Sequence, residues 1–293
     1  EINLLAIPGI RTPGVTDYAM DAMESRFDAF YIMDIEQRDE LNSVITASSE
    51  PDPLTGGTRA VVPNVTNTVS DFAARGLNSS FAAAYFPDIK IVDPERTTSV
   101  IAPPSVGVLG SYALNDKSQV WFAPAGFTRG LLSNSTAGAG GVFGTARNLN
   151  RDNLDDIYSE RINPIVSFES KPPVVWGQKT LLADASALDR VNVRRLLINI
   201  RRQVRAVANS ILFEPNRQET LDKFNSLVKP ILSNAQKNSG VDRFKVVIDT
   251  TTTTQADVEN NTIRGKIFLQ PTRTAEFVAL DFTVTNAGNF DTI

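Results

Sequence analysis

Short apolar runs alternate with helical periodicities along the first half of the chain. The apolar runs predict buried strands at Leu4–Ile7, Phe30–Ile35, Ile89–Val92 and Val120–Ala123. The periodic segments predict helices at Thr16–Arg26, Val69–Leu77, Ser80–Tyr85 and Pro103–Leu114. Residues 36–68 are polar and rich in turn formers, which predicts a long surface loop or an insertion. Such alternation favours an α/β fold with a mostly parallel sheet flanked by helices.

The pattern changes after a Gly/Ser/Ala-rich stretch at residues 130–150, where we expect a loop. Two long amphipathic helices follow, Asp189–Phe213 and a second from Asn216 to Gly240, kinked at Pro230. Asn216 and Glu219 have the spacing of a capping box at the second helix start. The last segments predict strands at Arg243–Asp249, Thr262–Leu269 and Glu276–Thr285. The chain is thus α+β overall, and we expect two domains, residues 1–150 and 151–293.

Composition narrows the chemistry that the chain can perform. Its 293 residues are 42% hydrophobic, which is enough for a substantial core. Cysteine and histidine are both absent, which excludes disulfides, thiolate nucleophiles, Ser-His-Asp triads and HExxH metal sites. A net charge of -4 argues against a general nucleic-acid or anionic-membrane binder. No apolar run approaches the length that spans a bilayer, which is roughly 18 residues.

The glycines near residue 140 and three clusters of carboxylates are the two kinds of candidate site in the sequence. The GAGGVFG run has Phe143 where a phosphate loop needs its third glycine, so we predict a flexible surface loop. Carboxylates cluster at Asp17–Glu40, Asp152–Glu160 and Asp242–Glu259, which leaves a glycosidase-like pair or a hard-metal site conceivable. Their spacing lacks a calcium-loop pattern, so solvated faces are favoured. We therefore predict no catalytic, cofactor-binding or metal-binding residue.

Arginines and one tryptophan stand out in the second half. Six arginines lie on the first long helix, and Arg194, Arg201 and Arg205 share approximately one face. A solvated face and an inter-subunit contact both fit this pattern, because arginine suits bidentate interface pairs. Nucleic-acid binding fits less well, since no aromatic residues are interleaved. Trp176 next to Gly177 predicts a ring packed in the core where backbone approaches closely.

Blocks through nearly the whole chain resemble one known family, the sheath proteins of contractile phage tails. The blocks are LLAIPGI, RFDAFYIMDI, IAPPSVGVLGSYALNDKSQVWFAPAG, RINPIVSF, VVWGQKTL, DRVNVRRLLINI, FEPN and KIFLQPTRTAEFVALDFTV. The resemblance implies an α/β core of subtilisin-like topology without protease activity, and therefore a structural protein without cofactors. It also implies that the chain is a fragment of a larger subunit, without the N-terminal arm that pairs with neighbouring subunits.

The resemblance further implies a mechanism. Subunits would form stacked hexameric rings around a tail tube and contract, driving the tube through the host envelope. Expected partners are other copies, the tube protein and the baseplate and neck proteins, with neither nucleic acid nor membrane. The location would be the virion tail sheath, after assembly in the host cytoplasm. Candidate inter-subunit contacts are Arg194, Arg201, Arg205, Phe282, Val284 and Phe290. The alternatives are a tailocin or secretion-type injector sheath and, in another class, a carboxylate-dependent α/β enzyme.

Overall fold

A computed structural model describes residues 2–47, 49–51, 58–93, 95, 98–132, 141–249 and 251–276. Its strands are β1 (Leu4–Ala6), β2 (Phe30–Asp34), β3 (Ser49–Pro51), β4 (Thr58–Ala60), β5 (Ala82–Phe86), β6 (Ile89–Val92), β7 (Ser99–Ala102), β8 (Val142–Thr145), β9 (Ile162–Val166), β10 (Val174–Val175), β11 (Val241–Val247) and β12 (Lys266–Pro271). Its helices are α1 (Pro13–Arg26), α2 (Val65–Ala74), α3 (Pro104–Asp116), α4 (Gly126–Arg129), α5 (Arg151–Ser159), α6 (Val191–Ser210), α7 (Gln218–Lys237) and α8 (Gln255–Glu259). A 3-10 turn at Ala187–Asp189 precedes α6.

The first hydrophobic core surrounds a five-stranded sheet in the order β1-β2-β5-β9-β10. Strands β1, β2, β5 and β9 are parallel, and β10 is antiparallel at one edge. Every residue of β2, β5 and β9 is buried. The apolar run of β2 is typical of a parallel strand covered on both faces, whereas the alanines of β5 and the Asn163-Pro164 step of β9 give a weaker signal. Helices α1 and α3 contact β2, and α5 contacts β9, so the α/β prediction for the first core is confirmed.

Two smaller sheets accompany this core. A three-stranded antiparallel sheet has the order β7-β6-β8, and β3 pairs with β4 in the polar stretch of residues 36–68. Strand β8 falls inside the segment that was expected to be a loop, while residues 133–140 lie outside the described residues. Val142 and Thr145 of β8 are buried. Residues in this glycine-rich stretch therefore form a strand because they pair with β6.

The second hydrophobic core lies between α6, α7 and the antiparallel pair β11-β12. Buried Leu196, Leu221, Val228 and Leu232 belong to it, as does Trp121 from the first half of the chain. Helix α6 also supplies Val191 and Ile198 to the first core, so it borders both cores. The expected C-terminal arrangement of two helices and strands is confirmed. The division at residue 150 stays a prediction; β9 and β10, which follow that residue, belong to the five-stranded sheet.

Two secondary-structure predictions were wrong. The segment Ser80–Tyr85 is not a helix but leads into and forms β5, the central strand. Its alanines favour a helix locally, but pairing with β2 and β9 on both sides outweighs that preference. Residues 120–123 form a turn instead of a strand. Trp121 explains that run, because its ring is buried in the second core and its Nε1 donates to Asn238 O at 3.0 Å.

The ends of α7 also differ from the expectation. The helix begins at Gln218 after Arg217 and carries no side-chain cap, so the capping box of Asn216 and Glu219 is not formed. Asn216 Nδ2 instead donates to Thr262 O at 3.1 Å and ties the helix start to the strand region. Pro230 lies inside the helix, which ends at Lys237, three residues before Gly240. Of the predicted strand Glu276–Thr285, only Glu276 is described, and it is not in a strand.

Candidate assembly surfaces

Arg194 does not lie on an exposed face, contrary to the prediction that it joins Arg201 and Arg205 there. The side chain is buried, with its guanidinium 4.0 Å from the centre of the Phe81 ring. Its Nη2 also donates to the Ser80 hydroxyl oxygen. Burial lowers the pKa of Arg194 to about 10. The helical spacing could not show this burial, because the segment that leads into β5 covers this end of α6. Arg194 is therefore withdrawn as an inter-subunit contact.

Arg195 joins the two cores through an internal ion pair. Its Nη2 donates to both carboxylate oxygens of Asp116, at 2.6 and 2.7 Å. Its guanidinium also lies 4.7 Å from the centre of the Tyr112 ring. The arginine is buried, and Asp116 ends α3, so the pair fixes α6 against the first core. Hydrogen bonds between two charged groups are stronger than those between neutral groups.

Arg201 and Arg205 are exposed, as an outward-facing contact requires. The guanidinium of Arg201 lies 4.7 Å from the centre of the Phe27 ring, and that ring packs on Phe81. Arg205 has no hydrogen bond or ion pair within the part of the chain that the structure describes. Their role as inter-subunit contacts stays a prediction. The other three candidates, Phe282, Val284 and Phe290, lie outside the described residues.

The corner between α6 and α7 exposes two large apolar side chains that the sequence had assigned to the helix. Leu212 is 60% exposed and Phe213 is fully exposed. Phe213 has a φ of 70°, which is uncommon for a residue with a side chain. Glu214 N donates to Ile211 O at 3.2 Å, and the Asn216 amide ties the corner to Thr262. An anchored corner therefore holds an aromatic ring in solvent.

A cavity of about 460 Å³ opens where α4, α5 and the segment of residues 274–276 meet. Glu276 sits at its wall and accepts from Tyr158 Oη at 2.8 Å and from Gln178 Nε2 at 3.1 Å. Arg190 Nε pairs with the same carboxylate at 2.7 Å. Burial and the neighbouring Glu276 raise the pKa of Tyr158, so its hydroxyl stays a donor. The segment before residue 277 is thus fixed to the first core.

Trp176 lies at the rim of this cavity and is 41% exposed, so the prediction that it packs in the core was wrong. Its ring forms a cluster with Phe127 and Phe168, with ring centres 5.0–5.2 Å apart. The close backbone approach occurs at Gly177 instead. A Cβ there would lie 2.8 Å from Asn163 Oδ1 and 2.9 Å from the Tyr158 ring. The close packing predicted at this pair of residues therefore occurs at Gly177, while the Trp176 ring is partly exposed.

The carboxylate cluster at residues 152–160 forms an exposed acidic face on α5. Asp152, Asp155 and Asp156 are exposed, and their spacing of three and one residues places them on one side of the helix. None of the three has a side-chain ion pair among the described residues. The expected solvated character of this cluster agrees with their exposure. Within the described ranges, no group of three or more carboxylates could hold a metal ion.

Two buried carboxylates lie at the carboxyl ends of parallel strands, where α/β folds often place active sites: Asp34 is the last residue of β2, and Asp88 follows β5 by two residues. Asp34 accepts from Ser105 Oγ at 2.7 Å, from Ser105 N at 2.9 Å and from Gly9 N at 3.1 Å. Asp88 accepts from Arg11 and Gln37, each at 2.8 Å. Burial raises the pKa of both carboxyls, and Arg11 partly opposes this at Asp88. Protein donors occupy both carboxylates, which is typical of loop anchors.

The β11-β12 pair is a two-stranded antiparallel sheet whose inner side packs on the second core through residues such as Phe244 and Leu269. Its outer side carries Arg243, Lys245 and Phe268, which are exposed. Among the described residues, neither strand pairs with a third strand. Each strand therefore presents one row of backbone groups that can accept a further strand.

The C-terminal part of the chain is similar in sequence to known proteins. Residues 183–285 match the family of the phage tail sheath C-terminal domain, a range that contains α6, α7, β11 and β12. The tail sheath protein of Vibrio phage KVP40 is 35% identical over 180 residues, which is 61% of this chain and 26% of that protein. The tail sheath protein of Enterobacteria phage T4 is 30% identical over 191 residues, which is 64% of this chain and 28% of that protein. The chain thus spans about a quarter of the length of these relatives.

Solved structures extend the likeness to the whole chain. A structure of the anti-feeding prophage baseplate matches with a TM-score of 0.72 and 21% identity, covering 98% of this chain and 69% of that one. The sheath complex of an extracellular contractile injection system, PVC, in its contracted state also gives a TM-score of 0.72, with 23% identity and coverage of 97% and 71%. At these identities the likeness concerns the fold alone. Together, these matches confirm the predicted resemblance to tail sheath proteins and the mixed α/β fold class.

Proposed function

We propose that this protein is a structural subunit of the contractile tail sheath of a bacteriophage. The observation that carries the proposal is the agreement of two independent matches. The sequence of residues 183–285 matches the sheath C-terminal domain, and the fold of nearly the entire chain matches contractile-system structures. The subunit polymerises as stacked hexameric rings around the tail tube and contracts to drive the tube through the host envelope.

The edges of β11 and β12 that have no partner strand among the described residues support polymerisation. Main-chain hydrogen bonds at a free strand edge accept an added strand without sequence-specific pockets. We infer that a terminal segment of a neighbouring subunit adds to this sheet and so links copies into a helical mesh. Such a link tolerates the large rearrangement of contraction, because the neighbouring segment stays paired while the subunit bodies move.

The partners follow from this role. Other copies of the subunit, the tube protein and the baseplate and neck proteins are the binding partners, and the virion tail sheath is the location after assembly in the host cytoplasm. Nucleic acid and membrane are not partners. The net charge of -4 supports the first exclusion. No helix in the described ranges is long and apolar enough to cross a membrane.

A second candidate is the sheath of a tailocin or a secretion-type injector, which the similarity to anti-feeding prophage and PVC structures favours. Capsid and terminase genes beside the coding sequence would indicate a phage. We infer that the protein is not an enzyme. Its sequence lacks cysteine and histidine, and the buried carboxylates Asp34 and Asp88 are held by protein donors, which does not favour a carboxylate-dependent α/β enzyme.

Electron microscopy of the assembled protein tests the proposal. A sheath subunit forms tubes, and an enzyme of this size forms discrete particles. Tubes of uniform width built from stacked rings are the expected result. Discrete monomers or closed oligomers under all assembly conditions, including the presence of tube protein, would contradict it.

A further inference from the structure

We propose that the exposed side of α6 and its corner, Leu212–Phe213, dock on α5 and its cavity in the next copy of the subunit. The proposal rests on the proposed self-assembly and assigns it a specific contact surface. It gives Arg201, Arg205 and Phe213 a defined counterpart: the acidic face Asp152, Asp155 and Asp156 with the cavity beside it.

The two surfaces are complementary in charge. Arg201 and Arg205 are four residues apart, so they form one ridge of α6 that leads toward the corner. The facing surface has three exposed carboxylates, the exposed Arg151 and, in the cavity lining, the half-buried Arg129. The corner itself is nearly neutral, because Glu214 pairs with Lys223 at 3.4 Å. Ionic complementarity therefore concentrates along the two helices.

The surfaces are also complementary in shape. Phe213 is fully exposed on an anchored corner. The cavity of about 460 Å³ has an apolar part formed by Leu154, Pro164 and Trp176, and a charged part formed by Arg129, Arg151, Asp155 and Glu276. A cavity of this size holds ligands larger than a benzyl group. A large side chain that fills a pocket near the centre of a contact is typical of a binding hot spot. The charged helices would then surround the ring.

A single subunit cannot make this contact with itself. Arg190 pairs with Glu276 at the cavity wall, and α6 begins one residue later. The 20 residues of α6 extend about 30 Å, and Phe213 lies beyond its far end. Phe213 and the cavity therefore lie at opposite ends of α6. A contact between different surfaces of identical copies is heterologous, and such contacts build rings or open helical arrays.

Charge-swap variants of the protein test the ionic part by sedimentation. In Arg205→Glu, an acid faces Asp155 of the next copy, and in Asp155→Lys, a base faces Arg205. Each variant alone should associate at least about fivefold more weakly than the parent protein, because like charges oppose each other. An equal mixture should recover most of the loss, since each altered surface then meets its opposite. Lys229→Glu, an exposed change of the same sign on α7, should leave association unchanged.

Phe213→Ala tests whether the Phe213 ring binds in the cavity of the next copy, and it should weaken association about tenfold or more. Tyr18→Ala is the matched control, because Tyr18 is an exposed aromatic residue on α1. With Phe213 replaced by photoreactive p-benzoylphenylalanine, irradiation should join copies through residues that line the cavity. Adducts at another surface, or solely on tube protein, would overturn the proposal.

Two further outcomes distinguish a wrong inter-subunit contact from a wrong sheath function. If the parent protein polymerises and both charge-swap variants behave like Lys229→Glu, or the mixture fails to recover, this contact is wrong and sheath assembly stands. If the parent protein does not associate under any condition, including with tube protein present, the proposed function fails and this contact fails with it.

Discussion

The arginines of α6 differ in role according to how deeply each side chain is buried. Arg194 and Arg195 are buried and contact Phe81 and Asp116, whereas Arg205 reaches solvent. A buried guanidinium must be compensated by hydrogen bonds and aromatic faces, because desolvation is costly. The same residue type therefore stabilises the subunit at one end of the helix and remains available for assembly at the other.

Replacing Arg194 by alanine should lower the free energy of unfolding by about 2–3 kcal/mol, since Ser80 loses its donor and Phe81 its cation. Arg205→Ala is the matched control and should change stability by about 0.5 kcal/mol or less. Urea denaturation followed by circular dichroism measures both. Equal effects of the two variants would mean that Arg194 is exposed in solution.

The buried carboxyl of Asp88 gives a prediction about pH. Burial raises its pKa above the ordinary value of 3.8, so the folded state binds a proton more readily than the unfolded state. The ionised form is therefore the disfavoured one, and the contribution of Asp88 to stability should grow as pH falls toward 4. Asp88→Asn removes this dependence.

Urea denaturation at pH 7 and pH 5 checks the sign. On acidification, the parent protein should gain stability relative to the Asp88→Asn variant. A relative loss would mean that the ion pair with Arg11 outweighs burial and depresses the pKa of Asp88. Far-ultraviolet circular dichroism of both proteins at pH 5 would verify that each is still folded.

At the scale of elements, local pattern predicted the two long helices and the buried strand β2, and tertiary contacts decided the other fully buried strands, β5, β9 and β10. The apolar run of β2 and the amphipathic faces of α6 and α7 are visible in sequence because each repeats over many residues. The alanines of β5 carry no such signal, and only its two neighbouring strands make it a strand. The same holds for the arginines of α6: their spacing is visible in the sequence, but the burial of Arg194 depends on Ser80 and Phe81, which are distant in sequence.

Gly177 offers a test of packing between elements at the cavity. Gly177→Ala would place a Cβ against Asn163 and Tyr158, so we expect a loss of about 1–3 kcal/mol in unfolding free energy. Gly14→Ala on α1 has open space around the new Cβ and should be neutral or stabilise by up to about 1 kcal/mol.

Thermal and urea unfolding of the two glycine variants give the comparison. A neutral Gly177→Ala variant would show that β9 and the residues after β10 are packed less closely than the structure indicates. It would also weaken the description of the cavity wall, since Tyr158 and Asn163 form part of the same contact.

At the scale of the whole molecule, two cores share one helix. Val191 and Ile198 of α6 belong to the first core, and Leu196 and Ile200 belong to the second. The ion pair of Arg195 with Asp116 reinforces this junction. The shared helix and this ion pair therefore connect the β11-β12 region to the α/β core.

Cryo-electron microscopy of tubes assembled from the protein tests the central claim most directly. We expect stacked rings in which each subunit has this fold and the β11-β12 sheet gains a strand from a neighbouring copy. Tubes without that added strand would contradict the linkage, and the absence of any tube would contradict the sheath function itself.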